Sequence, residues 1–111
     1  MALTISRSAQ NSQQIITLTG ELDGASAPKL LTEVESAATE SPKRLVLMVK
    51  DLEYIASAGI RVLVAAKQKM GTGVEIYVVA AQAQVIDTLQ KTGVINSVYM
   101  VDTYDPASVN G

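Results

Sequence analysis

Two short stretches hold the side chains whose types and spacing could do chemistry: Gly20-Glu21-Leu22-Asp23-Gly24 and Ile55-Ala56-Ser57-Ala58-Gly59-Ile60. Asp23 stands in an Asp-Gly turn signature, where the carboxylate can bond its own backbone. Ser57 offers a hydroxyl where a helix should begin, a place that suits Ser as an N-cap. A hydroxyl becomes a nucleophile when a base takes its proton. The chain has no His and no Cys, so neither a Ser-His nor a Cys-His pair can be built. Lysine remains as a base, but Ser26, Ser57 and Ser41-Pro42-Lys43 are read as lacking the S-x-x-K spacing. No Walker A loop, GxGxxG or metal-ligand cluster occurs. Asp51 and Glu53 are two carboxylates two residues apart in a predicted loop and could face one another at an acid/base site. Acids in surface loops are ordinarily solvated or capping. The expectation is a chain with no catalytic machinery, metal site or cofactor of its own.

The bulk properties narrow the class further. The 111 residues make one ordinary domain, with an apolar fraction of 48%. At this size one apolar core suffices without staples, and the lack of cysteine rules out a disulfide framework. A net charge of −2 gives no basic footprint for nucleic acid. The opening MALTISRSAQ lacks the apolar centre of a signal peptide. Apolar runs such as Leu45–Val49 fall far short of the roughly 20 residues of a membrane span. A cytoplasmic protein without membrane insertion is expected.

The elements that must position Asp23 and Ser57 follow from periodicity. Leu3 and Ile5 alternate with Thr4 and Ser6, Ser8–Ser12 reads as a polar turn, and Ile15–Thr19 is β-branched, so a hairpin is predicted. Gly20–Gly24 then leaves the sheet. Ser26 is a candidate cap, Pro28 suits a first helical turn, and Leu30, Leu31, Val34 and Ala38 follow at helical spacing, up to Ser41-Pro42. Leu45–Val49 reads as a central strand and Lys50–Ala56 as a loop. A helix from Ser57 to about Met70, stopped by Gly71, buries Ile60, Leu63, Val64 and Met70, with Lys67 at the margin of that stripe and its ammonium in water. Val74–Val79 is a strand; Val85, Ile86 and Leu89 mark a helix ending at Gly93; Val98–Val101 is a last short strand. The result is an α/β domain with a mixed four- to five-stranded sheet over residues 1–101. Residues 102–111 form a short polar tail that could begin a helix. In such sheets the loops beyond the carboxyl ends of neighbouring strands converge, so Asp23 and Ser57 should share a face.

Gly20-Glu21-Leu22-Asp23 after a β-rich strand, and Asp51-Leu52-Glu53-Tyr54-Ile55-Ala56-Ser57-Ala58-Gly59-Ile60 before a helix, together resemble the STAS family over roughly residues 2–101. That family includes the anti-sigma-factor antagonists of bacterial partner-switching systems. The resemblance implies a mixed sheet with helices on one side. It implies that Ser57 is phosphorylated by a cognate anti-sigma factor, an ATPase-like protein that doubles as a serine kinase, with a serine phosphatase as a further candidate partner. It places the partner surface at Asp23, Gly24, Ser26, Ala56, Ser57, Ala58, Gly59 and Arg61. Two positions depart from the family motif: Ala56 stands where many members carry Asp, and Ala58 where many carry a second Ser. Arg61, four residues on, shares a helical face with Ser57 and suits a phosphate. Two other readings use the same scaffold: an unphosphorylated subunit of a larger signalling or transport complex, and a weak nucleotide-binding module near Asp23.

Overall fold

The structure, a computed structural model, describes residues 3–71 and 73–104. An antiparallel hairpin of β1 (Thr4–Gln10) and β2 (Gln13–Leu22) turns through Asn11 and Ser12, both with positive φ. The turn is therefore narrower than the predicted Ser8–Ser12, because β1 keeps pairing to Gln10. Next come α1 (Ala27–Ala38), β3 (Arg44–Ile55), α2 (Ser57–Met70), β4 (Glu75–Val79), α3 (Ala83–Thr92), a 3₁₀ turn (Val94–Ser97) and β5 (Tyr99–Val101). Among the described residues, five strands lie side by side in chain order, with β2 to β5 parallel and β1 antiparallel at one edge. Right-handed crossovers that all step in one direction put every helix on the same face. Buried residues of all three helices accordingly join Ile16, Leu18, Leu45, Leu47, Ile76 and Val78 of the sheet in one core.

Three corrections concern these elements. The predicted loop Lys50–Ala56 is strand as far as Ile55. Beside β2 the strand carries two extra residues, one opposite Thr17–Thr19 and one opposite Gly20–Glu21. These bulges break the two-residue alternation, so Val49, Leu52 and Ile55 are buried at intervals of three and the stretch does not read as strand. Likewise β2 extends through Gly20 and Glu21 to Leu22. On α2 the buried residues are Gly59, Ile60, Val62, Leu63 and Ala66, while Val64 is 46% exposed. Ile60 and Leu63 are buried as predicted and Met70 packs against the core, but Val62 and Ala66 complete the stripe in place of Val64.

The other face of the sheet has no helix among the described residues. It carries a smaller cluster of Ile15, Val46 and Val79, flanked by Met48, Tyr77, Val101 and Tyr104. Parallel strands ordinarily need cover on both faces, and part of it comes from the chain after β5. Tyr104 packs against Tyr77, ring centroids 5.3 Å apart, and donates its hydroxyl hydrogen to Gln13 Oε1. The start of the predicted polar tail is thus packed on the sheet; the helix suggested after Pro106 lies outside the described residues.

Candidate functional site

Leu22 and Ile55 end β2 and β3 side by side, and the chain leaves the sheet at the same level from both. The Ala56 amide donates to the Leu22 carbonyl at 2.8 Å. That bond ties the first residue after β3 to the last residue of β2, so Asp23 and Ser57 emerge as neighbours. The shared face expected from topology is present.

Asp23 builds the first half of the site. Its Oδ1 accepts from the amides of Ala25 (3.1 Å) and Ser26 (2.9 Å) and from the Ser26 hydroxyl (2.9 Å). The Ser26 Oγ in turn accepts from the Asp23 amide at 2.9 Å and lies 3.2 Å from the Glu21 carbonyl. The Ser26 hydroxyl, then the amides, hold the Asp23 carboxyl below its ordinary value of 3.8. Ser26 does occupy the cap position of α1, yet its own backbone is helical and its side chain makes no bond to the helix. The predicted serine cap is an Asp-Ser knot instead, and the buried Ser26 offers a partner no free hydroxyl. Contrary to the reading of the sequence, Ser26 stands three residues before Lys29, the S-x-x-K spacing; the Lys29 side chain is exposed, and the bond between the two residues runs from the Lys29 amide to the Ser26 carbonyl at 3.0 Å. Gly24 sits at the exposed tip.

The second half is the start of α2. The N-cap is Ala56, extended at φ −86° and ψ 169°, and Ser57 is the first helical residue. The predicted role of Ser57 as a side-chain cap is corrected: it makes no cap bond. It is exposed, and its hydroxyl has no hydrogen-bond partner among the described residues. The first turn of α2 holds no acidic residue, so its free amides and positive dipole end meet no internal anion. Ala58 is half-buried; Arg61 is exposed one turn on and has no ion-pair partner among the described residues. Gly59 is buried. A Cβ there would lie 2.7 Å from Leu22 Cγ and 2.8 Å from Leu22 Cδ2. Its role is close approach of the helix to β2, and it presents no side chain to a partner. In the sequence Gly59 reads as part of a surface motif, because the packing of Leu22 beneath it is not written in the local spacing.

Two residues that sequence reasoning missed frame the site. Tyr54, at the end of β3, is 50% exposed, and Val64 lies seven residues beyond Ser57 on the same helical face. Large exposed apolar side chains are the only signal they carry; Tyr54 is hidden by reading the end of β3 as a loop, and Val64 by assigning it to the buried face of α2. Asp51 and Glu53 are exposed on β3, and no group of three or more potential metal ligands occurs among the described residues.

A family model described as STAS domain matches residues 5–107. The anti-sigma-F factor antagonist RsfB of Mycobacterium tuberculosis is 27% identical over 79 residues, which cover 71% of this chain. The match spans 65% of that relative's own length. Among solved structures, an anti-sigma factor antagonist from Mycobacterium paratuberculosis superposes with a TM-score of 0.85 at 24% identity, covering 96% of this chain and 91% of the other. The Bacillus cell fate determinant SpoIIAA in its phosphorylated form superposes with a TM-score of 0.71 at 14% identity, covering 96% of each.

Proposed function

The chain belongs to the STAS domain family, and from that premise we propose that it is an anti-sigma factor antagonist whose docking on an anti-sigma factor is switched by phosphorylation of Ser57. The observation that carries this reading is the unengaged, exposed hydroxyl of Ser57 at the head of α2, beside the Asp23 turn. The mycobacterial relative named as an anti-sigma-F factor antagonist and the phosphorylated Bacillus neighbour support it.

The physics of the switch follows from the helix end. A phosphoserine adds about −1.5 to −2 charges at neutral pH, against a chain total of −2. At the first position of α2 that anion meets free amides and the positive end of the dipole, which favour it. Arg61, one turn on, supplies a cation at i,i+4 spacing. The helix therefore keeps its structure when modified, and the change is felt by the partner. A dianion set into a fitted protein surface must be desolvated and faces any acidic side chain opposite.

The test is titration calorimetry against a purified ATPase-type anti-sigma factor from the same organism. Ser57→Asp should weaken binding at least tenfold, about 1.4 kcal/mol, while Ser57→Ala binds as the unmodified chain does. Equal affinities for all three proteins would sink the switch. A second reading, a STAS scaffold with no phosphoswitch, draws on Ala56 and Ala58, which leave Ser57 without a neighbouring carboxylate or hydroxyl at those positions. Intact mass after incubation with that kinase and ATP separates the two, since the scaffold gains no phosphate.

A further inference from the structure

β4 pairs with β3 only along Arg44–Met48. Beyond Met48 the side of β3 that faced β4 has no strand beside it among the described residues, yet this is the stretch that delivers Ser57. Backbone carbonyls left there would lack sheet partners. Two glutamines from the start of α3 take the vacant place. Gln82 Nε2 donates to the Lys50 carbonyl at 2.9 Å, and Gln84 Nε2 donates to the Glu53 carbonyl at 3.0 Å. The two side chains are joined to each other, Gln84 Nε2 to Gln82 Oε1 at 2.8 Å. The second carbonyl lies four residues before Ser57, and the opposite side of the same stretch is held by β2 and by the Ala56–Leu22 bond.

We propose that Gln82 and Gln84 are positioning residues: a side-chain bridge that substitutes for a missing strand and fixes the end of β3, and with it the height and orientation of the Ser57 hydroxyl. Neither residue touches Ser57; both act through the backbone of residues 50–56. The bridge also links the start of α3 to the site, so a disturbance of that helix end is transmitted to the acceptor serine. The proposal rests on the reading of Ser57 as the acceptor for its purpose, but its test does not.

Gln84→Glu keeps the shape and replaces the donor with a carboxylate facing a carbonyl oxygen. Gln84→Lys restores a donor. In native-state hydrogen exchange, Gln84→Glu should speed exchange of the Ala56 amide about five- to tenfold, as for loss of one or two modest hydrogen bonds, with Leu45 and Leu47 unchanged. Gln84→Lys should recover most of that protection. The chain has no cysteine, so Ser57→Cys carries a single nitroxide, whose spectrum should broaden to a second, more mobile component in the Gln82→Ala/Gln84→Glu background. Unchanged Ala56 exchange and an unchanged nitroxide spectrum would overturn the bridge. So would equal acceleration at Leu45 and Leu47, which would mark a general loss of stability. The calorimetric comparison of Ser57→Asp with Ser57→Ala reports separately on the phosphoswitch. A failed switch with a slowed, bridge-dependent Ala56 amide leaves the bridge standing, and the reverse result removes only the bridge.

Discussion

At the scale of single residues, the site is held by contacts that the sequence states only in part. Asp23 was legible because Asp-Gly is a turn signature with a known bonding habit. Its partner Ser26 was legible as a residue and wrong in role, since a serine three residues after an aspartate and just before a helix fits two hydrogen-bonding schemes equally well. The structure settles on the scheme that satisfies Asp23. Ser26→Ala removes a buried hydroxyl bonded to the Asp23 carboxylate and should cost about 1 kcal/mol in urea denaturation. It should also let the Asp23 carboxyl rise toward 3.8, which NMR titration of the carboxyl carbon reads directly. The pH dependence follows in sign. Asp23 titrates lower in the folded chain than its ordinary value, so its ionised form favours the folded turn above that ordinary value, and the contribution is lost as pH falls through the folded value. Acid unfolding below pH 3.8 should therefore be shallower in Ser26→Ala than in the parent. Gly59 is the other residue at issue. Gly59→Ala forces a methyl against the fully buried Leu22 side chain and should cost about 1–3 kcal/mol, seen as a lower urea midpoint with an unchanged slope.

At the scale of elements, the alternation of strands and helices along the chain is readable from hydrophobic spacing and the single-sided arrangement only from the family resemblance, and the errors fall where a local rule meets a tertiary constraint. Lys50–Ile55 carries charges at Lys50, Asp51 and Glu53 and has no two-residue alternation, so it reads as loop. It is strand because β2 pairs it along one side through two bulges and because the glutamines hold the other. None of that is local information. Val64 was misassigned for a similar reason: an apolar residue next to Leu63 satisfies helical spacing as well as Val62 does, and only the placement of α2 over the sheet separates them. The corrected start of α2 changes an expectation. If Ser57 were a side-chain cap, Ser57→Ala would cost about 1 kcal/mol. With Ala56 as the cap and the Ser57 hydroxyl unengaged, the cost should stay within about 0.5 kcal/mol. Paired urea melts of the two proteins distinguish these outcomes, and a small value also validates Ser57→Ala as a clean control in binding experiments.

At the scale of the whole molecule, the two faces of the sheet are unequal. One is covered by three helices; the other relies on side chains laid across it, with Tyr77 stacked on Tyr99 at 5.0 Å and Arg44 standing 5.3 Å above the Tyr77 ring. Burial pushes the Tyr77 hydroxyl up, and the bond to Tyr104 holds Arg44 above its ordinary value despite desolvation. Tyr104 is the keystone of this layer, touching Tyr77 and bonding Gln13. Tyr104→Phe should lose about 1–2 kcal/mol, the share of its hydrogen bonds to Gln13 and Arg44, and Tyr104→Ala about 3 kcal/mol or more, as aromatic truncations do. Equal losses in guanidinium melts would show that the ring itself covers nothing. Residues at 102–104 read as a polar tail because a lone aromatic after a short strand has no periodicity to reveal its target.

The pairing of Tyr104 with Gln13 joins positions 91 residues apart, whereas the strands lie side by side in the order they are made. A ribosome adding residues one at a time can lay down each parallel strand beside its predecessor and roof it with a helix. The closing tyrosine arrives only after the fifth strand has left the peptidyl-transferase centre. Released chains truncated just short of it should carry a finished helical layer over a sheet whose reverse side still invites chaperones.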